Sequence, residues 1–189
     1  FPLLPFLLAS FNADGRTLGL LAGSYALAQF AATPLIGALS DRFGRRPVIA
    51  ICVSGSVLGL GLFAITLSHD WPAGAVLPLF LLFGARLIDG VSGGTAATAG
   101  AVLADITPPE KRARAFGLIG VAFGLGFIIG PFLGGQLARI AVTVPIWVAT
   151  GFAVLNLVVV LTLLPETHPV SERRVLPRKR ELNPFAQIA

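Results

Sequence analysis

Five apolar runs, at about residues 17–39, 46–68, 74–104, 113–138 and 144–164, follow one another with only short polar or charged segments between them. A bilayer core needs roughly 20 apolar residues to be crossed as a helix, and it offers a backbone amide no partner outside the helix itself. The expected fold class is therefore all-α, a polytopic bundle of membrane helices. Composition agrees: 55% of residues are hydrophobic and 12% charged, and mean hydropathy is +0.85, outside the usual mixture of soluble domains. The 189 residues leave room for five or six crossings and almost none for a soluble domain. Residues 1–11 are apolar but only half a span, and are read as a truncated first helix. No initiator Met, basic n-region or cleavage pattern marks them as a signal peptide.

The formal charge of +5 has to be read by position. Arg42, Arg45, Arg46, Lys111, Arg112, Arg114, Arg173, Arg174, Arg178, Lys179 and Arg180 fall in alternate loops on one side, Arg16 and Arg139 on the other, and Arg86 inside a run. That asymmetry puts the first side in the cytoplasm. Topology thus accounts for the positive charge, which excludes nucleic acid as its partner. Cys52 is the lone cysteine and sits in an apolar run, so no internal disulfide or multi-thiolate metal site forms. His69 and His168 fall near opposite faces, so no metal pair is expected, and no cofactor motif appears.

Segment 37–49, Gly-Ala-Leu-Ser-Asp-Arg-Phe-Gly-Arg-Arg-Pro-Val-Ile, carries four charges between two runs and must sit at a membrane surface. Gly37 and Gly44 permit tight turns, Asp41 is able to accept from the amides of a nearby helix start, and Arg45 offers a forked donor to a carboxylate. An ordinary positive-inside loop would also look like this. The pattern G-x-L-x-D-R-x-G-R-R, however, closely resembles the loop between the second and third helices of the major facilitator superfamily, with Ser40 before Asp41 and Arg45-Arg46 as the basic pair. The resemblance implies a cytoplasmic gate motif made of Gly37, Asp41, Arg42, Gly44, Arg45 and Arg46.

Arg86 and Asp89 are three apart inside the run 74–104, so they share a helix face and are placed to pair. An ionisable residue at membrane depth costs a few kcal/mol unless paired or hydrated, which favours a functional role over a structural ion pair between helices. Arg86-Leu-Ile-Asp89-Gly90 resembles the superfamily's fourth-helix pattern R-x-x-Q-G. By that resemblance Arg86 belongs to proton coupling, and Asp89 departs from the usual Gln. Asp89 is the carboxylate well inside a run, and so the candidate proton carrier. Asp105 ends the same run; the resemblance implies that it pairs with Arg45 and joins Asp41 in a charge cluster closing the cytoplasmic side. Without it they are two unrelated loop charges.

Gly126, Gly130 and Gly134 recur every four residues, a stripe that lets another helix approach closely, and Pro131 invites a bend. Most such stripes are generic packing faces. The full string Gly126-x-x-x-Gly130-Pro131-x-x-Gly134-Gly135 resembles the fifth-helix motif of proton-coupled drug exporters. With Tyr25-Ala-Leu-Ala-Gln29, the Asp41 loop, Asp105 and Phe123-Gly-Leu-Gly-Phe127, it makes the chain most similar to the tetracycline/proton antiporter branch. Tyr25 and Gln29 share a face; they either line a substrate cavity or bond to a neighbouring helix.

The resemblance implies the N-terminal six-helix half of the major facilitator fold: a bundle at 1–167, then a basic cytoplasmic linker at 168–189 leading toward a missing C-terminal half. Its expected partners are the lipid bilayer, a small-molecule substrate, protons and that second half, and its expected location a bacterial cytoplasmic membrane. The implied function is proton-coupled efflux by alternating access. A proton- or sodium-coupled sugar or metabolite carrier and a non-transporting membrane scaffold are the alternatives. Gly90-Val-Ser92-Gly93 also resembles the nucleophile turn of rhomboid-type intramembrane proteases, but neither His69 nor His168 lies in a run to activate the serine. The chain is not read as an enzyme.

Overall fold

The structure, a computed structural model, describes residues 14–72 and 74–168. The half-span at 1–11 and the basic segment after 168 lie outside these residues. The elements are α1 (Gly15–Phe43), α2 (Arg45–Ser68), α3 (Leu77–Ser92), α4 (Thr95–Ile106), a 3-10 turn (Pro109–Lys111), α5 (Arg112–Ala138) and α6 (Val144–Leu163). No strand occurs among the described residues. Taking α3 with α4 and the 3-10 turn with α5, five segments among the described residues are long and apolar enough to cross a membrane.

Local chemistry sets the ends. Asp14 caps α1, accepting from the Thr17 amide at 2.8 Å and its hydroxyl at 2.7 Å, and these bonds hold its carboxyl below the usual carboxylate range. The turn between α1 and α2 is a single residue, Gly44, at φ 102°, a region that side chains rarely adopt. The charged stretch 37–49 is thus almost entirely helical, and Gly37 makes no turn: it lies inside α1. Helix α1 runs unbroken through Pro34, as α5 does through Pro131.

The run at 74–104 is not one helix. It breaks at Gly93 and Gly94, where the Gly93 amide reaches back only three residues, to the Gly90 carbonyl at 3.0 Å. Hydropathy is continuous across the break, so only the paired glycines mark it.

Helix α2 is the centre of the bundle, packed against α1, α3, α4 and α6. Three buried clusters run along it: Leu21, Phe63, Leu82 and Ala85; then Ala32, Ile36, Val48 and Cys52; then Ile49, Val53, Val102 and Val160. Large apolar side chains such as Phe80, Ile51 and Phe127 point outward, which is ordinary for a bundle in lipid, where packing and not water exclusion joins helices. Helix α5 buries none of its residues. Gly44, Asp105 and Glu166 meet at one end, which carries Arg42, Arg45, Arg46, Lys111, Arg112 and Arg114. At the opposite end, the Trp71 indole donates to the Thr66 carbonyl at 2.8 Å and the Trp147 indole to the Ser68 hydroxyl at 3.0 Å, the amphipathic placement expected at a headgroup level.

Candidate functional site

Two charged clusters lie on the path from end to middle of the bundle. The first is built on Arg45, the opening residue of α2, which Gly44 turns inward so that it is only 9% exposed. Its Nη1 donates to Asp41 Oδ1 at 2.5 Å and to Ser40 Oγ at 2.7 Å, both in the last turn of α1, and its Nε donates to Asp105 Oδ2 at 3.1 Å. One guanidinium therefore ties three helix ends together. The donors are charge-assisted, but the Asp41 and Asp105 side chains are 45% and 29% exposed, so each pair is worth about 0–1 kcal/mol. Such contacts are weak enough to be broken and remade. Asp41 accepts from the Arg45 side chain and not from a helix amide; the carboxylate that accepts from the Arg45 amide is Glu166, at 2.9 Å. The remaining motif residues are peripheral: Arg42 is exposed, its guanidinium 5.0 Å from the Phe43 ring centre, and Arg46 donates to the Leu161 carbonyl at 2.5 Å.

The second cluster is at mid-span. Arg86 and Asp89 on α3 approach to 3.8 Å, beyond hydrogen-bond length, so their contact is electrostatic. The Arg86 guanidinium also stacks 4.3 Å from the Phe63 ring centre on α2. An arginine at a helix centre costs about 2.5–3.5 kcal/mol, and a desolvated cation–π contact returns about 2 of these. Tyr25 of α1 and Ser56 of α2 face the pair. Close backbones enforce this: a Cβ at Gly59 would lie 2.8 Å from the Asp89 Cβ and 2.9 Å from the Ala85 carbonyl oxygen. Tyr25 is placed beside the pair by a second close contact, a Cβ at Gly90 lying 2.6 Å from the Tyr25 carbonyl oxygen. Gln29 is not equivalent to it: its Nε2 donates to the Gly93 carbonyl at 3.2 Å, so the amide is spent on the break between α3 and α4.

Three glycines of the α5 motif face no helix in the described bundle. A Cβ at Gly126, Gly130 or Gly135 would meet nothing within 4 Å, and Pro131 and Phe132 are exposed. Among the described residues the close glycine contacts lie instead at Gly55, Gly59, Gly90, Gly93 and Gly94. Gly55 and Gly59 have the same four-residue spacing, so the sequence carries this signal on α2 as well. Nothing in the local sequence points to Glu166, whose partner is 121 residues away. No group of three or more His, Cys, Asp or Glu placed to hold a metal occurs among the described residues.

The sequence profile of the Major Facilitator Superfamily matches residues 1–187. Tetracycline resistance protein, class C, of Escherichia coli is 40% identical over 190 residues, which cover 99% of this chain and 45% of that protein. Major facilitator superfamily domain-containing protein 10 of Homo sapiens is 36% identical over 155 residues, 82% of this chain and 31% of that one. The crystal structure of the human organic anion transporter MFSD10 (TETRAN) superposes with a TM-score of 0.74 at 31% identity, covering 97% of this chain and 43% of that one. The chain spans less than half the length of these relatives. On the profile, the relatives and the all-helical bundle together, the chain belongs to the major facilitator superfamily.

Proposed function

We propose that this chain forms the N-terminal half-bundle, residues 1–167, of a proton-coupled efflux antiporter, with 168–189 leading as a basic linker to a second half-bundle. The single observation that carries the reading is the Arg86–Asp89 pair, held at mid-span beside Tyr25 by close helix contacts. A bundle needing only stability gains little from ionisable groups at that depth, whereas a carboxylate that exchanges a proton there converts a gradient into a conformational bias. In this reading Asp89 carries the proton, Arg86 sets its charge balance, and Tyr25 faces the substrate cavity.

Asp41, Arg45 and Asp105, with Gly37, Arg42, Gly44 and Arg46 around them, act as a cytoplasmic gate whose contacts break as the bundle rocks. The stripe Gly126, Gly130, Pro131, Gly134 and Gly135 lines a face left open for the other half-bundle. The location is a bacterial inner membrane, and the work is transport without covalent chemistry. Relatives named for tetracycline resistance favour a polycyclic drug as substrate. The relative named as an organic anion transporter favours a second reading, an anionic substrate drawn to Arg86.

Inverted vesicles carrying the complete polypeptide separate these readings. Proton-driven accumulation of tetracycline supports drug export, accumulation of labelled organic anions the second reading, and uptake of labelled sugars alone a metabolite carrier. No flux of any of them points to a scaffold.

A further inference from the structure

Glu166 stands just beyond the end of α6, yet it is bonded to the first amide of α2. Its Oε1 accepts from Arg45 N at 2.9 Å and from His168 N at 3.0 Å. Helix α2 needs such an acceptor, because Gly44 precedes it and supplies no side-chain cap. A carboxylate at this position also complements the positive end of the helix dipole. The reverse contact is made by the next residue: Arg46 Nη2 donates to the Leu161 carbonyl at 2.5 Å, in the last turn of α6, where a cation complements the negative end. Each of the two helix ends thus caps the other with the favourable sign of charge. Below them Ile49, Val53 and Val160 pack in one buried cluster with Val102 of α4.

We propose that Glu166 and Arg46 form a reciprocal clamp between the start of α2 and the exit of α6, and that Glu166 is a positioning residue for the gate. It fixes the backbone from which Arg45 reaches Asp41 on α1 and Asp105 on α4. Helices α2 and α6 then move as one piece, and the side-chain contacts of Arg45 are the ones that part. This rests on the gate reading of Arg45 given above. The larger share of the capping comes from the acceptor oxygen, which Gln at 166 keeps and Ala does not, and the charge adds a smaller share through the helix dipole.

The test uses the complete polypeptide in a Cys52→Ala background with one cysteine, Val102→Cys, at a position only 8% exposed beneath the clamp. Its rate of reaction with N-ethylmaleimide in membranes is measured alongside transport. Glu166→Ala and Arg46→Ala are each expected to raise the rate about tenfold, the change that loss of a cap of about 1.4 kcal/mol allows. The double variant should add little to either single one, and Glu166→Gln should stay within about twofold of the parent, well below the tenfold equivalent of 1.4 kcal/mol. A rate in Glu166→Gln as high as in Glu166→Ala would make charge the operative property and overturn the proposal. So would an unchanged rate in Glu166→Ala. A raised rate with unaltered transport would leave the clamp standing and overturn the positioning role of Glu166, while loss of the gate itself would show as unaltered transport in Asp41→Asn.

Discussion

Gly90 on α3 lies against the backbone of Tyr25 on α1: a Cβ at position 90 would stand 2.6 Å from the Tyr25 carbonyl oxygen. Gly59 on α2 is equally close to α3, with 2.9 Å to the Ala85 carbonyl oxygen. A carbonyl in a helix cannot move aside as a flexible side chain can, so a methyl group must push the helices apart. Gly90→Ala and Gly59→Ala should each destabilise the bundle by about 1–3 kcal/mol, whereas Gly126→Ala and Gly130→Ala, in open space, should fall within about 0.5 kcal/mol of the parent. Thermal unfolding of this half-bundle in detergent ranks the four variants. Larger losses at 126 and 130 than at 59 and 90 would place the tight helix contact on α5 after all.

Gln29 provides a second stability test, because its amide bonds the carbonyl at the break between α3 and α4. Interhelical hydrogen bonds in membranes average about 0.6 kcal/mol and reach about 1.7. Gln29→Leu should therefore lower stability by that small amount. Its apparent affinity for substrate should not change. Tyr25→Phe is expected to do the opposite, shifting affinity or coupling with little loss of stability, since Tyr25 faces the Arg86–Asp89 pair. Substrate titrations of transport on both variants decide it.

These two residues also illustrate what was legible beforehand. Helix limits read from hydropathy differ from the observed ones by one residue at one end of α2, α5 and α6, because in lipid the apolar run itself defines the helix. The segment at 37–49 was readable as charged and superficial, but its turn is only Gly44, since Asp41 to Phe43 still belong to α1 and Arg45 already opens α2, its amide bonded to Glu166. The Gly93–Gly94 break leaves no trace in hydropathy. Gln29 and Glu166 owe their positions to partners far along the chain, and no local pattern encodes a tertiary hydrogen bond. The α5 stripe was conspicuous for its spacing, yet spacing alone does not say which helix, if any, fills the groove.

At the basic end, Asp41→Asn and Asp105→Asn each leave Arg45 one carboxylate. Pairs this exposed contribute about 0–1 kcal/mol, so both variants should insert and accumulate normally. Transport is expected to fall by about tenfold or more, the scale on which a switching equilibrium of 1–3 kcal/mol is displaced. Immunoblots of membranes run with flux assays give the answer; loss of protein from the membrane would make the cluster structural.

Topology is open to direct labelling in a Cys52→Ala background. A cysteine at position 70 should react with an impermeant maleimide from outside, and one at 43 from the cytoplasm. Position 43 is chosen over 44 because Phe43 is 49% exposed, while a side chain at Gly44, with φ 102°, would strain the backbone. The reverse pattern would invert the bundle.

The central claim is that Asp89, beside Arg86 at mid-span, exchanges the proton that drives transport. Proteoliposomes holding the complete polypeptide and an internal pH dye measure this directly, by proton movement upon addition of tetracycline. Wild type should move protons opposite to the drug. Asp89→Asn, which keeps the shape and removes the titratable group, should abolish drug-driven proton movement while still allowing drug exchange down its own gradient. Undiminished drug-driven proton flux in Asp89→Asn would contradict the account.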